Sequence, residues 1–170
     1  MSHLQTTVPG SAMSGLVKPL LVGEANPYGG DPEFTLYPSP PGCSGDRLCR
    51  LVLGLDPDDY MGRFDRVNLC PRAWKIRDAR IRADAIRKER RSSPTILLGA
   101  KVCAAFDVSF KPFSMVGDSN VRGRPHDERE TGRVPVFVVL PHPSGLSRAW
   151  NAPGSYERAR ELLREARVLP

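Results

Sequence analysis

Two segments carry side chains equipped for chemistry. Pro141-His142-Pro143-Ser144-Gly145-Leu146-Ser147-Arg148 sets an imidazole beside hydroxyls and a guanidinium. Gly23-Glu24-Ala25-Asn26-Pro27-Tyr28 groups a carboxylate, an amide and a phenol. A neutral imidazole offers one N–H donor and one acceptor nitrogen. Plain structural duties also suit these residues. An Asn before Pro opens a turn; a His caps a helix or sits in a core; Tyr28 packs; Leu146 is one more exposed leucine.

The elements that position them follow from periodicity. Leu20–Val22 is a short apolar run ending at Gly23, which predicts a buried strand. A Gly/Pro-rich loop, Glu24 to Gly45, comes next, and a loop that long is functional or disordered. Leu48, Leu51, Val52 and Leu55 share i, i+3, i+4, i+7 spacing and predict a helix from Asp46 to Gly54. Arg66–Leu69 is a second strand, stopped by Pro71. A helix from Trp74 to Arg90 carries the apolar stripe Ile76, Ala79, Ala83 and Ile86. Its other faces are basic and read as solvated in preference to DNA-binding. Thr95–Leu98 is a third strand, turned by Gly99 into a helix with Val102, Cys103 and Phe106. Asp107–Arg133 is polar, with room for a short strand or hairpin, and His126 there reads as solvent-exposed. Val136–Leu140 is a fourth strand. A last helix starts near Ser155, with Ala159, Leu162, Leu163 and Ala166 inward.

Strands alternating with helices, each strand apolar throughout, predict a parallel sheet covered on both faces. Such sheets place sites beyond the carboxyl ends of their strands. Gly23–Gly30, Asn68–Pro71 and Pro141–Asn151 would all emerge there. The expected layout is a loose tail over residues 1–15 and one domain over 16–170.

The 170 residues suffice for a core without staples. No apolar run is long enough to span a bilayer, and the start lacks a basic segment followed by an apolar core. The expectation is a cytoplasmic chain that contacts no membrane. A net charge of +6 and a pI near 9.5 fit a polyanionic partner, although a merely basic surface has the same numbers. Of the four cysteines, Cys43, Cys49, Cys70 and Cys103, no pair has C-x-x-C spacing. They read as free thiols, with no metal and no cofactor expected. Trp74 and Trp150 read as packing residues. No oligomerisation stripe is visible, so a monomer is expected.

With these motifs in view, the chain resembles the uracil-DNA glycosylase superfamily over roughly Leu20 to Asn151. His142-Pro143-Ser144 is similar to the last motif of the ordinary uracil-DNA glycosylases. Gly145-Leu146-Ser147-Arg148 is similar to its continuation in the mismatch-specific branch. Asn26-Pro27 and Pro27-Tyr28 resemble the first motifs of the mismatch and ordinary branches respectively. Gly42–Leu48 and Leu97–Phe106 are similar to the iron–sulfur branch, without its cysteine pattern. The resemblance implies a three-layer α/β/α sandwich on a mostly parallel four-stranded sheet.

It also implies a reaction. Hydrolysis of an N-glycosidic bond needs a positioned water on one side and hydrogen-bond donors to the leaving base on the other. The family pattern has one residue between the Gly and the water-activating side chain; here Glu24 and Ala25 intervene before Asn26. Asn26 therefore orients the water, or Glu24 contributes as an acid. His142 donates to the base oxygen, Asn68 reads the base edge, and Gly23, Tyr28, Tyr37 and Phe34 line or stack on the extruded ring. Leu146 is the wedge. Ser144, Gly145, Ser147 and Arg148 contact the DNA backbone. Uracil is the default substrate of such a monofunctional glycosylase. The extra residue and Gly29-Gly30 keep open a bulkier modified pyrimidine, hydroxymethylated for example, as in phage DNA. The missing Asp at the water site keeps open a non-catalytic DNA-binding module.

Overall fold

The computed structural model describes residues 18–26, 29–90, 93–117 and 136–170. Pro27, Tyr28, His126 and the N-terminal tail lie outside the described residues. The architecture is α/β. In chain order the main elements are β1 (Leu20–Ala25), α1 (Ser44–Asp46) running into a π-helical segment (Arg47–Leu53), α2 (Pro57–Arg63), β2 (Asp65–Cys70) and α3 (Ile76–Glu89). They continue with β3 (Thr95–Leu98), α4 (Ala100–Ala105), β4 (Ser114–Gly117), β5 (Val136–Leu140) and α5 (Ser155–Glu165).

The described residues form one five-stranded sheet of order β2-β1-β3-β5-β4. Four strands are parallel, and β4 runs antiparallel to β5 at the edge. The expected count of four is thus corrected to five. The fifth, Ser114–Gly117, falls in the polar stretch 107–133 that left room for a short strand, and it is held by antiparallel pairing with β5.

Strand residues feed two cores by turns, as the two-residue repeat demands. Leu20, Val22, Leu97, Phe137 and Val139 meet α3 and α4 on one face. Leu21, Ile96, Leu98, Val138 and Leu140 meet the π-segment, α2 and α5 on the other. Each such side chain contributes roughly 1.5–3 kcal/mol when buried. The exposed Arg63–Asp59 pair is worth only about 0.3–0.5 kcal/mol. Apolar burial, not charge, therefore holds the helices on the sheet.

Three expectations need correction. β1 does not stop at Val22; it continues through Ala25, because parallel pairing extends to Ala25↔Cys70. Gly23 and Glu24 are therefore strand residues, and Asn26 is the first residue beyond. Next, the helix expected over 46–54 is largely π-helical and ends at Gly54 with φ +68°. Its wider turn buries Leu48, Cys49, Val52 and Leu53 and leaves Leu51 exposed. Third, α3 begins at Ile76, and that residue is exposed while Ala79, Ala83 and Ile86 are buried. On α5 the expected inward face is the one observed: Ala159 and Leu163 are buried, and half-buried Leu162 and Ala166 pack against the same core.

α2 was not anticipated, although its start is well marked. Asp56 caps it by accepting from Asp59 N–H at 2.9 Å, and Pro57 opens the first turn. On α3, Arg87 lies over the rings of Phe106 and Phe137 at 5.4 and 5.7 Å, and Arg90 pairs with Asp65. These two cations serve the fold, while Arg77, Arg82 and Lys88 face solvent. All four cysteines are free, and Cys49, Cys70 and Cys103 are buried. Burial pushes the Cys103 thiol up to about 12. Among the described residues no helix is long and apolar enough to cross a membrane.

Candidate active site

The carboxyl ends of β1 and β3 form a topological switch point. From β1 the chain crosses to β2 over one face, and it returns to β3 through α3 on the other. In open α/β sheets the ligand crevice lies at that point.

Gly99, with φ +99°, sits there between β3 and α4. A Cβ on it would stand 3.1 Å from His142 Cβ and 3.5 Å from Glu24 Oε1. The bare backbone thus lets a carboxylate from β1 and an imidazole from beyond β5 approach one spot. Lys101, one residue into α4, donates to Glu24 Oε2 at 3.0 Å. Its ammonium also lies 5.9 Å from the centre of the Trp74 ring, so the half-buried Trp74 backs this corner.

Three hydrogen bonds hold the turn at His142 and Pro143. His142 Nδ1 accepts from Ser144 N–H at 3.2 Å. Its carbonyl accepts from Trp150 Nε1–H at 2.9 Å. The next carbonyl, of Pro143, accepts from Arg47 Nε–H at 3.0 Å. Because Nδ1 is an acceptor, the imidazole proton resides on Nε2. Burial lowers the His142 pKa below its ordinary value; Glu24 opposes this and Lys101 reinforces it. The ring is a neutral donor at pH 7. Trp150 is the packing residue expected, stacked on Tyr156 at 5.3 Å and edge-on to Phe113 at 5.2 Å.

Gly23 and Asn68 are direct partners across β1 and β2. A Cβ on Gly23 would collide with Asn68 Oδ1 and touch Leu36. The glycine is what seats the Asn68 amide against the strand. Gly23→Ala should cost about 1–3 kcal/mol by overpacking and turn Asn68 away. Urea denaturation checks this, and the Gly23→Ala/Asn68→Ala double variant should regain most of the loss.

The long loop after β1 is pinned over the same edge. Arg66 donates to Thr35 O at 3.0 Å, buried Tyr60 donates to Leu36 O at 2.8 Å, and Cys43 donates to Tyr37 O at 3.4 Å. Gly45 packs against the Leu36 and Tyr37 carbonyls so closely that a Cβ would clash. Asn26 is buried, and its Nδ2 donates to Asp31 O at 3.2 Å. Phe34 and Tyr37 are exposed and meet edge-to-face at 5.8 Å.

The candidate residues therefore fall into groups. Glu24 and His142 come together across Gly99. Gly23 and Asn68 are in contact, and Phe34 and Tyr37 pair with each other. Ser144, Gly145, Ser147 and Arg148 follow His142 around a tight turn, closed by Ser147 N–H to Ser144 O at 3.2 Å. Leu146 projects from it, 91% exposed. Gly99, Lys101 and Arg47 were missed. The sequence marks Gly99 only as a turn, and nothing local marks Lys101 or Arg47, which reach the site through tertiary packing. Among the described residues no three His, Cys, Asp or Glu side chains are grouped as metal ligands. Compared with known proteins, the chain matches no family model and no curated sequence.

Proposed function

We propose that this protein is a monofunctional DNA glycosylase with the three-layer α/β/α sandwich of the uracil-DNA glycosylase superfamily. The observation that carries the reading is the His142 imidazole: a neutral ring with its donor on Nε2, beside the Glu24 carboxylate at the switch point of the sheet.

In this reading DNA binds across the carboxyl ends of the strands. A pyrimidine nucleotide leaves the stack, at a cost of a few kcal/mol, and Leu146 fills the space. Asn68 pairs with the edge of the extruded base. The C1′–N1 bond breaks and its electron pair goes to the base. His142 Nε2–H donates to the base oxygen on which that charge develops. Water adds to C1′, and its proton passes to Glu24, which can accept one where the Asn26 amide cannot. Asn26 then holds the loop or orients the water. The products are a free base and an abasic site.

The test is base release from labelled oligonucleotides carrying uracil, thymine or 5-hydroxymethyluracil, single-stranded and opposite A or G, followed by alkaline cleavage. Cleavage at uracil is the expected result. Cleavage only at bulkier bases moves the substrate to a modified pyrimidine. Tight DNA binding with no release from any substrate overturns the enzyme and leaves a binding module.

A further inference from the structure

Arg47 opens the π-segment, and its half-buried guanidinium reaches the turn after His142. Its Nε donates to Pro143 O at 3.0 Å. Its Nη1 lies 3.9 Å from where a Cβ on Gly145 would stand. The neighbouring carboxylate does not neutralise it. Asp46 Oδ1 takes Arg50 Nε–H at 2.9 Å, and Oδ2 takes Gly42 N–H at 2.8 Å. Among the described residues Arg47 has no ion-pair partner. A positive charge is therefore fixed by one nitrogen against the backbone, one residue from the projecting Leu146, with terminal N–H groups left to donate.

A planar guanidinium matches the paired oxygens of a phosphodiester. We infer that Arg47 is a phosphate-contacting residue: Nε anchors the fork to the 143–145 backbone, and the terminal N–H groups take a backbone phosphate of the strand that Leu146 enters. This rests on the DNA reading above and adds a contact from a different part of the chain.

The test is equilibrium binding of the full chain to a duplex with a tetrahydrofuran abasic analogue, over a salt series, for wild type, Arg47→Gln and Arg47→Lys. Each phosphate contact adds about 0.9 to the slope of log affinity against log salt. Arg47→Gln should bind several-fold more weakly at low salt, with the slope shallower by about one; Arg47→Lys should keep the slope. The same slope for all three overturns the inference, as does a wild type whose binding ignores salt. A second measurement needs no variant to fold: single neutral methylphosphonates scanned along both strands should weaken wild-type binding at a phosphate beside the abasic site, and a flat scan overturns the contact. A changed slope in Arg47→Gln together with no base release by wild type sinks the glycosylase reading alone.

Discussion

His142→Ala should lower the rate of base release by about two to three orders of magnitude, the usual cost of removing one donor to a developing oxyanion. Its DNA affinity should stay near wild type, because the ring faces the site while Leu146 and the following residues face outward. His142→Asn, which restores an N–H donor, should recover part of the rate. Single-turnover kinetics beside equilibrium binding separate the two effects; parallel loss of rate and affinity would point to a collapsed turn.

The same residue predicts a pH dependence of stability. Burial holds the folded His142 pKa below its ordinary value of 6.5. In the window between the two values the unfolded chain binds a proton that the folded chain refuses. Stability from this group is thus complete above about 6.5 and falls as pH drops through the lowered value. Protonation also removes the lone pair that Ser144 N–H uses. Urea unfolding at neutral and mildly acidic pH should show a loss that His142→Asn lacks.

Glu24→Gln should slow base release by roughly 10²–10⁴-fold, the range for a positioned acid or base. Gln keeps the size of the side chain and still receives the Lys101 donor through its oxygen, so folding should change little. The substitution also removes the charge that props up the His142 pKa, so His142 should titrate lower still. Following its ring protons by NMR through a pH series checks this without any activity. Asn26→Ala should cost less rate and more stability, since Asn26 is buried and tied to Asp31 O. A collapse of rate in Asn26→Ala with Glu24→Gln unchanged would give the water to the amide.

The sequence by itself determined the elements whose signal is local. Thr95–Leu98 and Val136–Leu140 are apolar runs bounded by turn residues, and each forms the strand expected. Alternation of strand and helix determined a parallel sheet covered on both faces, because parallel strands need crossovers. It also placed His142 just past the carboxyl end of its strand and Asn68 near the end of its own, although β2 runs two residues further, to Cys70. What depended on pairing was not legible. β1 runs on to Ala25 only because β2 offers ladder partners that far, and this moves Glu24 into the strand. The exposure of Leu51 depends on a π-turn that a 3.6-residue count cannot foresee. The meeting of Glu24, Gly99 and His142, and of Arg47 with Pro143, belongs to the tertiary structure alone. Residues up to 118 positions apart in the chain become neighbours through the order β1-β3-β5. Local periodicity sets which face of an element is apolar; it carries no information on which element lies beside it.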